Sequence, residues 1–249
     1  MTSNHQTPPN ESSINVILTL LITYQVHNPT RILSGGDDNS LKLWDIRSAG
    51  CAGSATPTIS QQPAMKNSKT HQSGVTSLQY HPHRQHVFAS GSYDECVRVW
   101  DDRMLTKPAA TLHVGGGVWR TKWFLSGTKS GDGGGGGGGD HDDDWCLALA
   151  CMQGGSCVAR YSSSSSSSSS SSTSGDCNDT PTLTKVLTHP QDPSLLTERH
   201  LAYGIGVLHE KANNNNNSSS DSPQHQDQQE GALLASCSFY ENSVHLWKY

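Results

Sequence analysis

Three stretches of this sequence are built alike, and their likeness limits what the chain can fold into. "RILSGGDDNSLKLWDIR" runs from Arg31 to Arg47, "HVFASGSYDECVRVWDDR" from His86 to Arg103, and "LLASCSFYENSVHLWKY" from Leu233 to Tyr249. Each alternates small and apolar residues into an acidic turn, then alternates again towards a tryptophan. A period of two on either side of a tight turn is the signature of a β-hairpin. A degenerate fourth copy, "LALACMQGGSCVARY" from Leu147 to Tyr161, keeps both runs but has no acid in its turn.

Further strand-like runs flank the hairpins. "LITYQVHNP", "GVTSLQYHP", "GGVWRTKWFLS" and "HLAYGIGVL" precede the four copies, and "AATLHV" and "TLTKVLTHP" follow the second and third. Three to four strands per repeated unit is the makeup of a propeller blade. The expected units are 14–47, 71–114, 115–190 and 199–249. Trp44 and Trp100 stand 56 positions apart, more than the 40–45 or so of a regular blade repeat. Low-complexity inserts over 48–70, 127–144, 162–176 and 209–230 absorb the excess, and 1–13 is a polar leader. Such tracts bury too little apolar surface to offset their ordering entropy, so disordered loops are expected there.

Composition agrees with a small core inside a longer chain. Only 33% of the 249 residues are hydrophobic, and the mean hydropathy is −0.58. Net charge is −5 and the basic residues are scattered, which disfavours a nucleic-acid surface. The apolar run "INVILTLLITY", Ile14 to Tyr24, is about half a membrane span, and its leader has no basic residue. A buried strand is expected there, with no membrane partner. Seven dispersed cysteines without a C-x-x-C suggest reduced thiols of a cytoplasmic protein, neither a zinc knuckle nor a redox pair.

The hairpin residues resemble WD repeats. In that family a His, a Ser or Thr, an Asp in the turn and a Trp form a buried network. His71, Ser90, Asp94 and Trp100 match it in the second unit; Ser34, Asp38 and Trp44 match it in the first, without the His. The last unit has Ser236, Glu241 and Trp247, with a turn one residue longer. A carboxylate can be buried there if imidazole, hydroxyl and backbone N–H all donate to it. His71, Ser90 and Asp94 also look like a catalytic set, but the architectural reading is preferred and no G-x-S-x-G elbow exists. "HPHRQH" (His81, His83, His86) is read as a solvated turn and "DHDDD" (Asp140 to Asp144) as a solvated loop, with no metal expected at either.

Several stretches are more particular than a generic WD repeat. "SGGDD", "HPHRQHVFASGSYDE", "GGVWRTKW", "LALACM", "LAYG" and "LLASCSFYENSVHLW" together resemble the carboxy-terminal half of the diphthine methyl ester hydrolase family, also called diphthine methyltransferases. That resemblance implies an all-β WD-repeat propeller that removes a methyl ester from methylated diphthine on elongation factor 2, in diphthamide biosynthesis. It implies no cofactor, this protein partner, a monomer and a cytoplasmic location. Four blades are fewer than the roughly seven of a WD ring, so an incomplete ring truncated at its amino terminus is expected. Residues 14–24 are one candidate for an outer strand that would close it.

The implied substrate carries a fixed trimethylammonium cation, which aromatic faces hold best. Tyr93, Trp119 and Tyr240 are the candidate cage, with Phe239 beside Tyr240 in the last turn. Arg120 is the candidate group for polarising the ester, and Asp37 the one for activating water. A nucleophilic Cys151 or Cys237 competes with this assignment. The alternative function is a non-catalytic WD-repeat interaction scaffold.

Overall fold

The computed structural model describes residues 21–25, 28–48, 62–126, 145–163, 181–191, 196, 201–208, 232–238 and 240–249. Among these, fifteen strands form four antiparallel sheets in chain order. The first holds β1 (Leu21–Gln25), β2 (Asn28–Gly35), β3 (Leu41–Asp45) and β4 (Met65–Asn67). The second holds β5 (Val75–Tyr80), β6 (Val87–Ser92), β7 (Cys96–Asp101) and β8 (Ala110–His113). The third holds β9 (Arg120–Leu125), β10 (Trp145–Ala150), β11 (Ser156–Ser162) and β12 (Thr182–His189). The fourth has β13 (Ala202–Leu208), β14 (Leu233–Ser238) and β15 (Ser243–Lys248).

Strands within a sheet pair in sequence order, and the first strand of each sheet touches the first strand of the next. This is the blade succession of a propeller, as expected, and the stack is not closed into a ring. Two expectations change. The last strand of the first sheet, β4, lies inside the 48–70 stretch read as an insert. Residues 21–24 build β1, the innermost strand of the first sheet, and not an outer strand for the last one. Residues 14–20, the leader, the glycine, serine and asparagine tracts and "DHDDD" lie outside the described residues.

Three apolar layers fill the gaps between successive sheets. Leu33, Leu41 and Leu43 meet Phe88 and Trp100 between the first and second. Val97, Val99 and Val118 meet Trp145, Leu147 and Leu149 between the second and third. Cys146, Ala148 and Ala150 meet Ile205, Leu234 and Trp247 between the third and fourth. Strand β10, "WCLALA", is buried throughout because alternate residues serve opposite layers.

Each matched hairpin is tied across its two strands by one bond. The indole N–H donates to a serine hydroxyl: Trp44 to Ser34 at 2.8 Å, Trp100 to Ser90 at 2.8 Å, and Trp247 to Ser236 at 3.2 Å. In the second sheet His71 Nε2 lies 3.0 Å from the same Ser90 hydroxyl. The network differs from the expected one at its acid. Asp94 takes the N–H of Gln72 (2.9 Å) and of Cys96 (3.2 Å) and forks with Arg98, while His71 Nδ1 has no partner. Arg98, four positions further on, offers a full charge where the imidazole would offer only a dipole.

The expected solvated "HPHRQH" turn is also corrected. His81 is 2% exposed and packs against Trp123 and Trp145, its Nδ1 accepting from the N–H groups of His83 and Arg84. His86 bonds Asp102 at 2.7 Å, a fully buried carboxylate that also takes Arg31 (3.0 Å) and Tyr80 (3.1 Å). Arg31 comes from β2, so this acid pins the first sheet to the second.

Ser90 bonds two buried ring nitrogens at once, those of His71 and Trp100, whereas Ser34 bonds one that is only part-buried. Ser90→Ala is expected to cost about 1–3 kcal/mol in urea unfolding and Ser34→Ala less; equal costs would remove the shared-hydroxyl account.

Burial lowers the His71 pKa to about 4, with the Arg98 charge adding to the effect. Burial likewise lowers His81 to about 3. Both are neutral when folded and titrate near 6.5 when unfolded, so the unfolded chain binds more protons below pH 6.5. Stability is therefore expected to fall as pH drops from 6.5 towards 4, by up to about 1.4 kcal/mol per pH unit for each group. His71→Gln should make that slope shallower in denaturation midpoints measured at pH 7 and pH 5.

Candidate functional site

The turns that close the hairpins divide adjacent residues between two tasks. Asn39, Glu95 and Asn242 follow or adjoin the acids with φ of 55°, 63° and 49°. This left-handed step tightens each turn. It leaves Asp38 bound to its own hairpin, accepting the Ser40 N–H at 3.1 Å and Lys42 at 2.6 Å. Burial alone would raise the Asp38 carboxyl, but the Lys42 and Ser40 bonds outweigh it and hold it below its ordinary value. The neighbouring Asp37 is exposed.

Asp37 and Tyr93 meet over Gly74. A Cβ on Gly74 would stand 3.0 Å from Asp37 Oδ1 and 3.4 Å from Tyr93 Cδ2, so the glycine lets two turns approach. Partial burial, then the charge of Asp37, then Tyr203 push the Tyr93 phenol up. The Tyr93 ring lies 5.8 Å from that of Trp119, and Trp119 lies 5.5 Å from Tyr203, edge to face at 87°. One residue from each sheet thus enters a single row: Asp37, Tyr93, Trp119 and Tyr203.

Backbone contacts fix Trp119 in place. Its N–H donates to Ala150 O at 2.8 Å, and the preceding Val118 N–H donates to Ser92 O at 2.9 Å. Gly116 passes so close to the next hairpin that a Cβ there would collide with the Cys151 carbonyl and the Gly154 amide. "GGVW" is therefore a strand entry that only glycine allows, wedged between two sheets.

Arg120, the first residue of β9, is exposed and lines a cavity of about 320 Å³ together with Ser77, Gln79 and Gly204. Tyr240 stands on the β14–β15 turn and is 58% exposed; Phe239 lies outside the described residues. Sequence reasoning missed Tyr203. It sits at the start of β13 in "LAYG", just as Trp119 sits ahead of β9 in "VWRT". Comparing the entries of the innermost strands would have found it.

The competing nucleophiles are placed differently. Cys151 is fully buried with its sulfur 3.7 Å from that of Cys157. That contact and burial push its thiol well up, so Cys151 holds its proton. The pairing was not expected from a sequence without C-x-x-C, because a hairpin turn brings the two together across five intervening residues. Cys237 is exposed, and its sulfur would be 2.5 Å from a Cβ on Gly204. His71 and Ser90 are buried within their blade, which fits their architectural reading. Among the described residues no group of three or more His, Cys, Asp or Glu could hold a metal ion. No helix there is long and apolar enough to cross a membrane.

Comparison with known proteins agrees with the repeated sheets of the fold. The family model for "WD domain, G-beta repeat" matches residues 22–45 and 64–101, which span most of the first two sheets but not β8. A diphthine methyltransferase of Homo sapiens is 40% identical over 103 residues, 41% of this chain and 20% of that protein. One of Mus musculus is 46% identical over 92 residues, 37% of this chain and 17% of that protein. The matched part is thus a fifth or less of either relative's length. A chain in the crystal structure of the mitotic checkpoint complex superposes with a TM-score of 0.51 at 14% identity. It covers 93% of this chain and 49% of its own length, and shares the fold. Over the matched regions, this chain carries WD repeats and is similar to proteins named diphthine methyltransferase.

Proposed function

We propose that this chain is part of an enzyme that hydrolyses the methyl ester of methylated diphthine on elongation factor 2, in the cytoplasm, releasing diphthine and methanol. The observation that carries the reading is the row in which Asp37, Tyr93, Trp119 and Tyr203 meet, one from each sheet. Three aromatic rings beside a carboxylate suit a fixed trimethylammonium cation. The similarity to proteins named diphthine methyltransferase supports a substrate that carries one.

In this mechanism the rings orient the cation and place the ester towards Arg120. The guanidinium stabilises negative charge that develops on the carbonyl oxygen as water adds to the acyl carbon. Asp37 accepts a proton from that water, and the methoxy group leaves with a proton as methanol. The new carboxylate stays on the protein substrate. Tyr240 offers a further ring from the fourth sheet, at the turn beyond Tyr203. No organic cofactor enters the balance.

The test combines the purified chain with elongation factor 2 bearing methylated diphthine and follows methanol. Methanol should accumulate, and Trp119→Ala and Asp37→Asn should each lower kcat/KM by about tenfold or more. Binding without methanol release would replace hydrolysis by the scaffold reading. Gain of a methyl group from a sulfonium donor would instead support the transfer reaction that the relatives' name describes.

A further inference from the structure

The arginines of this fold are mostly neutralised where they stand. Arg31 pairs with Asp102, Arg47 with Asp45, Arg98 with Asp94 and Arg103 with Asp101, all at 3.0 Å or less. On β9 the pattern breaks. Arg120 and Lys122 are both exposed, and neither side chain has an ion pair or hydrogen bond among the described residues.

Alternation along β9 decides where these two cations go. Thr121 and Trp123 turn to the second sheet: Thr121 Oγ1 lies 2.9 Å from Ser77 Oγ, and the Trp123 indole donates to Gln79 O at 3.2 Å. Arg120 and Lys122 therefore share the opposite face, the one towards β13. Strand β13 answers with Gly204 and Gly206 around Ile205. A Cβ on Gly206 would meet nothing within 4 Å. Arg120, Lys122, Gly204 and Ile205 all line the cavity of about 320 Å³ where β5, β9 and β13 come together.

Two like charges at alternate positions of one strand are about 7 Å apart and repel unless an anion lies between them. The polar groups on the remaining wall cannot serve: Gln79 Oε1 accepts the Trp123 N–H, and Ser77 Oγ is engaged with Thr121. We propose that Arg120 and Lys122 form a binding site for a doubly charged oxyanion, a phosphate monoester or a pair of carboxylates, held in the cavity between β9 and β13. The guanidinium offers a planar two-pronged donor and the ammonium a point charge, and together they match a charge of −2. This site shares Arg120 with the ester-hydrolysis reading, yet its anion binding is measured without ester or methanol and stands whether or not that reaction occurs. It adds Lys122, which the proposed mechanism does not use.

The test titrates the full chain with inorganic phosphate, and separately with succinate, by calorimetry at fixed ionic strength set with chloride. Saturable one-to-one binding of either is expected, weakened at least tenfold by Arg120→Gln and by Lys122→Gln. Both positions are exposed, so these variants should keep the wild-type unfolding midpoint. Binding of phosphate alone identifies a phosphate monoester, and binding of succinate alone identifies paired carboxylates. No saturable binding of either anion, or binding that both glutamine variants retain, overturns the site.

Discussion

Every internal sheet of this protein is apolar on both faces, and that constraint governs the rest. Strand β10 shows it most plainly: Leu147 and Leu149 face the second sheet while Cys146, Ala148 and Ala150 face the fourth. A sheet of this kind cannot leave either face in water, so it must be sandwiched. Successive sandwiching brings the first strands of neighbouring sheets side by side. The end sheets keep apolar side chains open, with Ile22 and Tyr24 on β1 and Val244 and Leu246 on β15.

Polar bonds then choose one arrangement among the many that an apolar stack would tolerate. The serine–tryptophan bond fixes how each hairpin's two strands lie against each other, because it spans both in one geometry. Asp102 does the same between sheets, since its buried charge demands Arg31 from β2 together with His86 and Tyr80. Asn67 repeats the device at the outer edge, donating from β4 to the carbonyl of Leu105 at 2.6 Å. None of these groups touches the aromatic row, yet each limits how far one turn can move relative to the next.

The hairpins and their strand order were legible in the sequence because alternation and turn chemistry are local signals. What escaped was non-local. Strand β4 is three residues in a polar stretch, and it is a strand only because β3 offers an edge to pair with. His81 reads as a turn residue, but Trp123 and Trp145, more than forty positions away, bury it. Asp94 was placed correctly in the turn; that it would choose Arg98 over His71 depends on a competition between charge and dipole that spacing does not encode. In the candidate site, Tyr93, Trp119 and Asp37 were named from their turns and strand entries. Tyr203 was not, because its place at a strand entry, like that of Trp119, shows only when the innermost strands are compared; the two rings lie 5.5 Å apart.

Neighbouring residues in these turns take opposite duties, and this makes the site depend on register. Asp38 and Asp94 face their own hairpins and bind Lys42 and Arg98, while Asp37 and Tyr93, one position earlier, face the meeting point of the turns. On β9 the same alternation sends Thr121 to the second sheet and Arg120 to the cavity. A slip of one residue would exchange the two sets, burying Asp37 without Lys42 and exposing the acid that holds the turn. The cost of that exchange is an unpaired buried charge in each affected hairpin, which is larger than the loss of any single apolar contact. The bonds that look merely structural therefore also keep the candidate site facing outward, and the two roles cannot be varied independently.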